Sequence, residues 1–152
     1  MKSFLHKFLT LFALTGLAHS ADLTSIGDWS ENVTAANLVS GAGSDLQSQI
    51  ESISGVTTLT ISNAPGAWTL RARRSSSQWN NNLAVYAKRT SAGSGSGTIS
   101  GGNAYVELTG NDSEIFSGTE NRGSIAIQFK LTGLSRSVSP ATYISSIIFT
   151  VQ

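Results

Sequence analysis

The chain has 152 residues, with 10 Lys and Arg, 9 Asp and Glu, no cysteine and two histidines. A charge so close to neutral provides no general attraction to nucleic acid or to anionic lipid. Both histidines, His6 and His19, lie within the first twenty residues, so the rest of the chain lacks the groups for Ser–His–Asp or Cys–His catalysis and for the common zinc sites. We therefore predict a protein that is not an enzyme and that needs no metal or cofactor.

The first twenty residues are typical of a secretory signal peptide. Lys2 and Lys7 precede an apolar stretch at residues 8–17, and Ala18 and Ser20 provide the small residues needed for cleavage after residue 20. The apolar stretch is shorter than the roughly 20 residues that cross a bilayer. The sequence thus predicts an exported protein with a signal peptide at 1–20, an N-terminal extension at 21–38 and a β domain at 39–152, with no membrane span after cleavage.

Period-two alternation of apolar and polar residues predicts short β-strands along residues 39–152. Residues 44–52 fit a helix or a strand equally well, because Leu46 and Ile50 are four residues apart and also fall on alternate positions. Clear alternation comes in three later runs, which have their apolar residues at Trp68, Leu70 and Ala72, at Leu83, Val85 and Ala87, and at Ile125, Ile127, Phe129 and Leu131. About seven strands separated by turn residues predict an all-β antiparallel sandwich or barrel.

The stretch SAGSGSGTISGG at residues 91–102 is Gly- and Ser-rich. A phosphate-binding loop would be followed by a helix, whereas Ile99 and Tyr105 indicate more strand. We therefore predict a flexible hairpin connection between two strands.

The densest positive charge lies on the strands predicted before this loop. If those two strands form a hairpin, Arg71, Arg73 and Lys88 share one exposed face, with Trp79 and Tyr86 beside it. One interpretation is a ligand face for a glycan or an anionic polymer, since aromatic rings stack on sugars. The other is a solvated strand face whose charges prevent edge-to-edge pairing.

The stretch ATYISSIIFTVQ at residues 141–152 predicts a strand that is apolar on both faces. Tyr143, Ile147, Phe149 and Val151 lie on one face, and Ile148 contributes to the other. A strand of this kind is expected to be central or covered. Either an earlier segment of the chain or another molecule is then needed beside it.

The signal peptide, the Gly-, Ser- and Thr-rich chain, the serial short strands and the closing Pro140-x-Thr142-Tyr143 before an apolar strand resemble bacterial chaperone–usher pilins and related immunoglobulin-like surface subunits. The resemblance implies an immunoglobulin-like sandwich with an open groove that accepts a strand from another subunit. Tyr143, Ile147, Phe149 and Val151 correspond to the groove-lining strand. Leu23 and Trp29 in the N-terminal extension correspond to the donor strand.

Two functions follow as expectations. The first is an exported, non-catalytic subunit of a surface or pilus-like assembly, which polymerises by strand addition with copies of itself or related subunits and is assisted by a periplasmic chaperone. The second is a monomeric secreted β-sandwich that binds a glycan or an anionic polymer. An enzyme would need two carboxylates held across a cleft, and no such pair can be assembled from the sequence.

Overall fold

The computed structural model describes residues 21–152, except for the side chains of residues 76 and 77. The predicted signal peptide lies outside these residues and stays a prediction. The described part contains one short 3-10 helix, Ala35–Asn37, and ten strands. The strands, in chain order, are β1 (Asp22–Ile26), β2 (Gln49–Glu51), β3 (Thr57–Ser62), β4 (Ala67–Gln78), β5 (Ala84–Arg89), β6 (Ile99–Gly101), β7 (Val106–Glu107), β8 (Ser113–Thr119), β9 (Arg122–Thr132) and β10 (Ile144–Val151).

The strands form two antiparallel sheets. The six-stranded sheet has the order β1-β3-β9-β5-β7, with β2 paired to the far end of β9, and the four-stranded sheet has the order β10-β4-β8-β6. The prediction of an antiparallel all-β sandwich is therefore confirmed. Seven strands have five residues or more, in agreement with the predicted number. The other three, with two or three residues each, are too short to give a visible alternation.

The core lies between the two sheets and is built from the apolar positions of the alternating strands. Leu59 and Ile125 from the six-stranded sheet and Leu70 from the four-stranded sheet are completely buried. Trp68 packs edge-on against Phe116, with ring centroids 6.2 Å apart. Burial of each such side chain contributes about 1.5–3 kcal/mol. Period-two patterning thus produces one inward face per sheet, and the two faces close on each other.

Residues 44–52, which fit a helix or a strand, follow a turn at 42–43 and contain a β-bridge and then strand β2. Leu46 makes a β-bridge with Leu38, and Ile50 pairs with Leu131 of β9. Pairing with β9 gives the backbone of this segment hydrogen-bond partners that two turns of isolated helix would not provide.

The Gly- and Ser-rich stretch is not a flexible hairpin. It connects β5 to β6, which lie in different sheets, so it crosses the end of the sandwich. The guanidinium group of Arg122, which is only 9% exposed, donates hydrogen bonds to the carbonyl oxygens of Ala92, Gly93, Gly95 and Gly97. The prediction was wrong because composition alone does not show that a buried arginine holds the segment.

Candidate functional site: the free edge of β10

Strand β10 forms one edge of the four-stranded sheet. Among residues 21–152 it pairs only with β4. Of the two expected neighbours, no earlier strand of residues 21–152 pairs with the second long side of β10, and the expectation that another molecule lies there stays a prediction. The strand is half-buried, because one of its faces packs on the core. Strand β1 also lies close to β10, but the two strands do not pair.

The hydrogen-bond pattern shows which backbone groups of β10 are directed away from β4. Thr69 and Gln152 exchange both of their backbone hydrogen bonds, at 2.8 and 3.1 Å. Bonded and non-bonded pairs alternate in an antiparallel ladder. Ile148 and Thr150, which pair in the same register, therefore also bond to β4. The N–H and C=O groups of Ile147, Phe149 and Val151 are directed to the free edge, and no hydrogen bond joins them to any other part of residues 21–152.

The side chains of these same three residues point inward. Ile147, Phe149 and Val151 all pack against the buried core, and each remains partly exposed. Each therefore combines an outward-directed backbone with an inward-directed apolar side chain. An added strand needs both features, because backbone hydrogen bonds provide affinity and side-chain pockets provide specificity.

An apolar groove of about 1020 Å³ opens beside β10, between the ends of the two sheets. Its walls come from β10 on one side, from Val85 and Phe129 of the six-stranded sheet on the other, and from the segments at 27–35 and 134–143. Apolar side chains are exposed at its rim, with Val33 38% and Ile144 57% exposed. Exposed apolar groups beside a free strand edge are typical of an interaction surface.

Three of the four predicted groove residues, Tyr143, Ile147 and Phe149, line this groove. Val151 lies further along the strand and packs on the core. The hydroxyl group of Tyr143 donates to the carbonyl oxygen of Ser139 at 2.6 Å, which fixes the turn before β10. That these four residues accept a strand of another subunit stays a prediction.

The two predicted donor residues are engaged within their own chain. Leu23 pairs with Ile61 in β3, and Trp29 stacks on Phe129 with ring centroids 6.5 Å apart and planes at 8°. Gly27 connects them at φ +102, in close contact with the backbone of Val56. To act as a donor in another subunit, this segment has to leave these contacts.

The five residues of the predicted ligand face do not share one face, because β4 and β5 do not form a hairpin. Arg71 and Arg73 lie on the outer face of the four-stranded sheet and pair with Glu114 and Asp112 at 3.9 and 3.5 Å. The other three residues lie elsewhere. Tyr86 and Lys88 lie on the outer face of the six-stranded sheet, and Trp79 lines the groove. The indole of Trp79 donates to the Leu83 carbonyl oxygen and lies 4.8 Å from the guanidinium group of Arg74.

Two residues outside the predicted ligand face, Tyr105 and Lys130, lie against Tyr86 and Lys88. The ammonium groups of Lys88 and Lys130 each lie 4.3 Å from the centre of the Tyr105 ring, and that of Lys130 lies 5.0 Å from the Tyr86 ring. Burial raises the pKa of Tyr105 to about 12, and the nearby Glu51 carboxylate adds to the effect. Of these two, only Lys130 could be placed on the outer face from the sequence, because it is the polar residue between the inward-facing Phe129 and Leu131.

No cluster of three or more His, Cys, Asp or Glu side chains suited to a metal ion occurs within residues 21–152. In the same part of the chain, no helix is long and apolar enough to span a membrane.

Comparison of the chain with protein-family models, with curated proteins and with solved structures finds no match. The resemblance to pilins therefore stays an expectation from the sequence.

Proposed function

We propose that this protein is an exported, non-catalytic structural subunit of a bacterial surface or pilus-like assembly, whose copies join by strand addition at β10. The observation that supports this proposal is the free edge of β10, where the outward backbone groups of Ile147, Phe149 and Val151 lie beside an apolar groove. An edge of this kind is a template for an additional strand.

The other sheet edges support the proposal by contrast. The edge strands β2, β6 and β7 have only two or three residues each, and the edge strand β1 has five and begins with Asp22. Short edges, charges and prolines are the usual means of preventing unwanted pairing. Strand β10 has eight residues, ISSIIFTV, with no charge and no proline. It lacks these protections, as expected of an edge that has a partner.

In this proposal the sandwich is immunoglobulin-like and a periplasmic chaperone covers the edge before assembly. The resemblance implies Leu23 and Trp29 as the donor residues; the proposal itself requires only that a strand of another copy is added at the edge. Export through the periplasm is part of the proposal, because the sequence at 1–20 has the pattern of a signal peptide.

The test is amide hydrogen exchange on the chain expressed in full and purified from the periplasm, with its N-terminus read by mass spectrometry. At low concentration we expect fast exchange at Ile147, Phe149 and Val151 and slow exchange at Ile148 and Thr150, whose N–H groups bond to β4. At concentrations where sedimentation detects assembly, the first three amides should become protected. A chain that stays monomeric at all concentrations, with these amides always fast, would contradict the proposal.

A second candidate function is glycan binding by the outer face of the six-stranded sheet. It is favoured by the cluster of Tyr86, Lys88, Tyr105 and Lys130, which combines aromatic rings with ammonium groups. Arg71, Arg73 and Trp79 are not part of this narrower site. Titration with neutral and uronic-acid oligosaccharides, followed by NMR, should shift resonances of these four residues. Tyr86→Ala should abolish the shifts, and their absence for every sugar would argue against this function.

A further inference from the structure

We propose that β10 pairs with β10 of a second copy, antiparallel and around a two-fold axis at Ile148. This inference rests on the proposed function, because it names the strand that is added at the free edge. A contact of this kind is closed and two-fold, the commonest type among homo-oligomers, so it makes a dimer the building unit of the proposed assembly.

The register follows from the backbone alternation. Since Ser146, Ile148 and Thr150 belong to the positions that bond to β4, the outward positions are Ser145, Ile147, Phe149 and Val151. These four are arranged symmetrically around Ile148. When Ile148 of one copy lies opposite Ile148 of the other, residue 145 of each copy pairs with residue 151 of the other copy. Residue 147 of each copy likewise pairs with residue 149 of the other. Each of these four pairs can exchange two hydrogen bonds, so every outward group of the strand is used.

The side chains are compatible with this register. On the inner face, Ile147 lies beside Phe149 of the second copy, and the same contact occurs twice. Aromatic and β-branched residues are favourable cross-strand pairs. Both side chains are only partly buried in the single chain, so pairing removes apolar surface from water. On the outer face, Ile148 meets Ile148 of the second copy, and no charge opposes a like charge.

The second copy of β10 is a better occupant than the N-terminal extension for a physical reason. The extension has to give up the pairing of β1 with β3 and the stacking of Trp29 on Phe129 before it can be donated. The edge of β10 has no such contacts to lose, since its outward groups bond to nothing else in residues 21–152. Self-pairing therefore breaks none of the backbone hydrogen bonds within residues 21–152; the added strand has to fit beside β1, which lies close to β10.

The test is Ile148→Glu in the full chain, exported and purified as above. In the single chain the introduced carboxylate lies opposite Arg73 on β4, so the fold gains a neighbouring opposite charge. In the proposed dimer the introduced carboxylates of the two copies face each other in a non-hydrogen-bonded pair, where side chains are closest. We expect the dimer dissociation constant, measured by analytical ultracentrifugation, to rise roughly tenfold or more, with an unchanged melting temperature for the monomer.

Ser146→Glu is the matched control. It adds the same charge to the same face of the same strand, but it faces the uncharged Thr150 of the second copy, so the dissociation constant should change little. Mixing Ile148→Glu with Ile148→Lys should restore a dimer that contains one copy of each, because the charges on the axis are then opposite.

Three outcomes overturn the inference. In the first, Ile148→Glu does not weaken assembly, whereas deletion of residues 21–30 abolishes it. This result would leave the proposed function intact and would make the N-terminal extension the donor. The second is equal weakening by Ser146→Glu and Ile148→Glu. The third is a wild-type chain that never assembles, which would also contradict the proposed function.

Discussion

The indole of Trp29 lies flat against the ring of Phe129, with centroids 6.5 Å apart and planes at 8°. This contact attaches the N-terminal extension to β9 in the six-stranded sheet, beside the groove that β10 borders. Together with the pairing of β1 with β3, it holds the N-terminal extension on the domain.

Replacing Trp29 by alanine should lower the free energy of unfolding by about 2 kcal/mol, since a partly buried aromatic stacking contact is lost. The measurement is urea denaturation followed by tyrosine and tryptophan fluorescence. Trp29→Phe retains a stacking ring and should recover most of the loss. Unchanged stability in Trp29→Ala would mean that the indole does not stack on Phe129 in solution.

Arg122 should be among the most important polar residues for stability. Arg122→Met removes all the hydrogen bonds that its guanidinium group donates to the segment at 92–97 and leaves the accepting carbonyl groups without that donor. We expect a loss of about 3 kcal/mol, together with new protease cleavage within residues 91–102. Thermal unfolding and limited proteolysis provide the two measurements.

Arg136→Met is the control for this prediction. Arg136 is exposed, and its side chain donates to the carbonyl oxygen of Gly43 at 2.9 Å. Its replacement should cost under about 1 kcal/mol. Equal losses in the two variants would contradict the special role of Arg122.

Gly118 on β8 packs directly under the indole of Trp68. A Cβ atom at this position would lie 2.5 Å from Cζ2 of Trp68 and 2.6 Å from the carbonyl oxygen of Thr98. Gly118→Ala should therefore destabilise the protein by about 2 kcal/mol, because the indole has to move within a packed core. Gly110→Ala introduces the same methyl group where no atom lies within 4 Å, and its melting temperature should be close to that of the wild type.

Acid should loosen the segments near the groove through Asp45. Its carboxylate accepts backbone hydrogen bonds from Arg136 and Leu46, and these hold the pKa of Asp45 below its ordinary value of 3.8. Because the pKa of Asp45 is lower in the folded state, its contribution to the stability of the fold is complete at pH values above the ordinary pKa. This contribution is lost as the pH falls through the lowered pKa. The NMR shifts of the Leu46 and Arg136 amides should stay constant from pH 7 to about 4 and change below that.

Asp45→Asn keeps an oxygen acceptor but no titrating charge. The pH-dependent change of the two amides should disappear in this variant. A transition at or above the ordinary aspartate value in the wild type would contradict the assigned hydrogen bonds.

Much of the fold could be predicted from the sequence because alternation is a local property. The positions of Leu70 and Ala72, or of Ile125 and Ile127, show the inward face of each strand without reference to its neighbours. The apolar character of Tyr143, Ile147 and Phe149 could also be predicted, and these three residues line the groove.

The sites could be predicted only in part, because strand partners depend on contacts that are distant in sequence. Arg71 and Lys88 were expected to be neighbours since their strands are consecutive, but β4 pairs with β8 and β10 while β5 pairs with β7 and β9. A hairpin between consecutive strands is only one solution for the chain, and packing of the two sheets around a common core selected another.

By itself, the sequence determined that the domain has no cysteine, that its strands are amphipathic or apolar, and that its last strand has neither charge nor proline. Only the tertiary structure decided that this strand lies at an edge, and that the N–H and C=O groups of Ile147, Phe149 and Val151 are directed away from β4. The physical reason is that side-chain alternation is encoded residue by residue. The hydrogen-bond partners of a strand are instead set by which segments the whole core brings beside it.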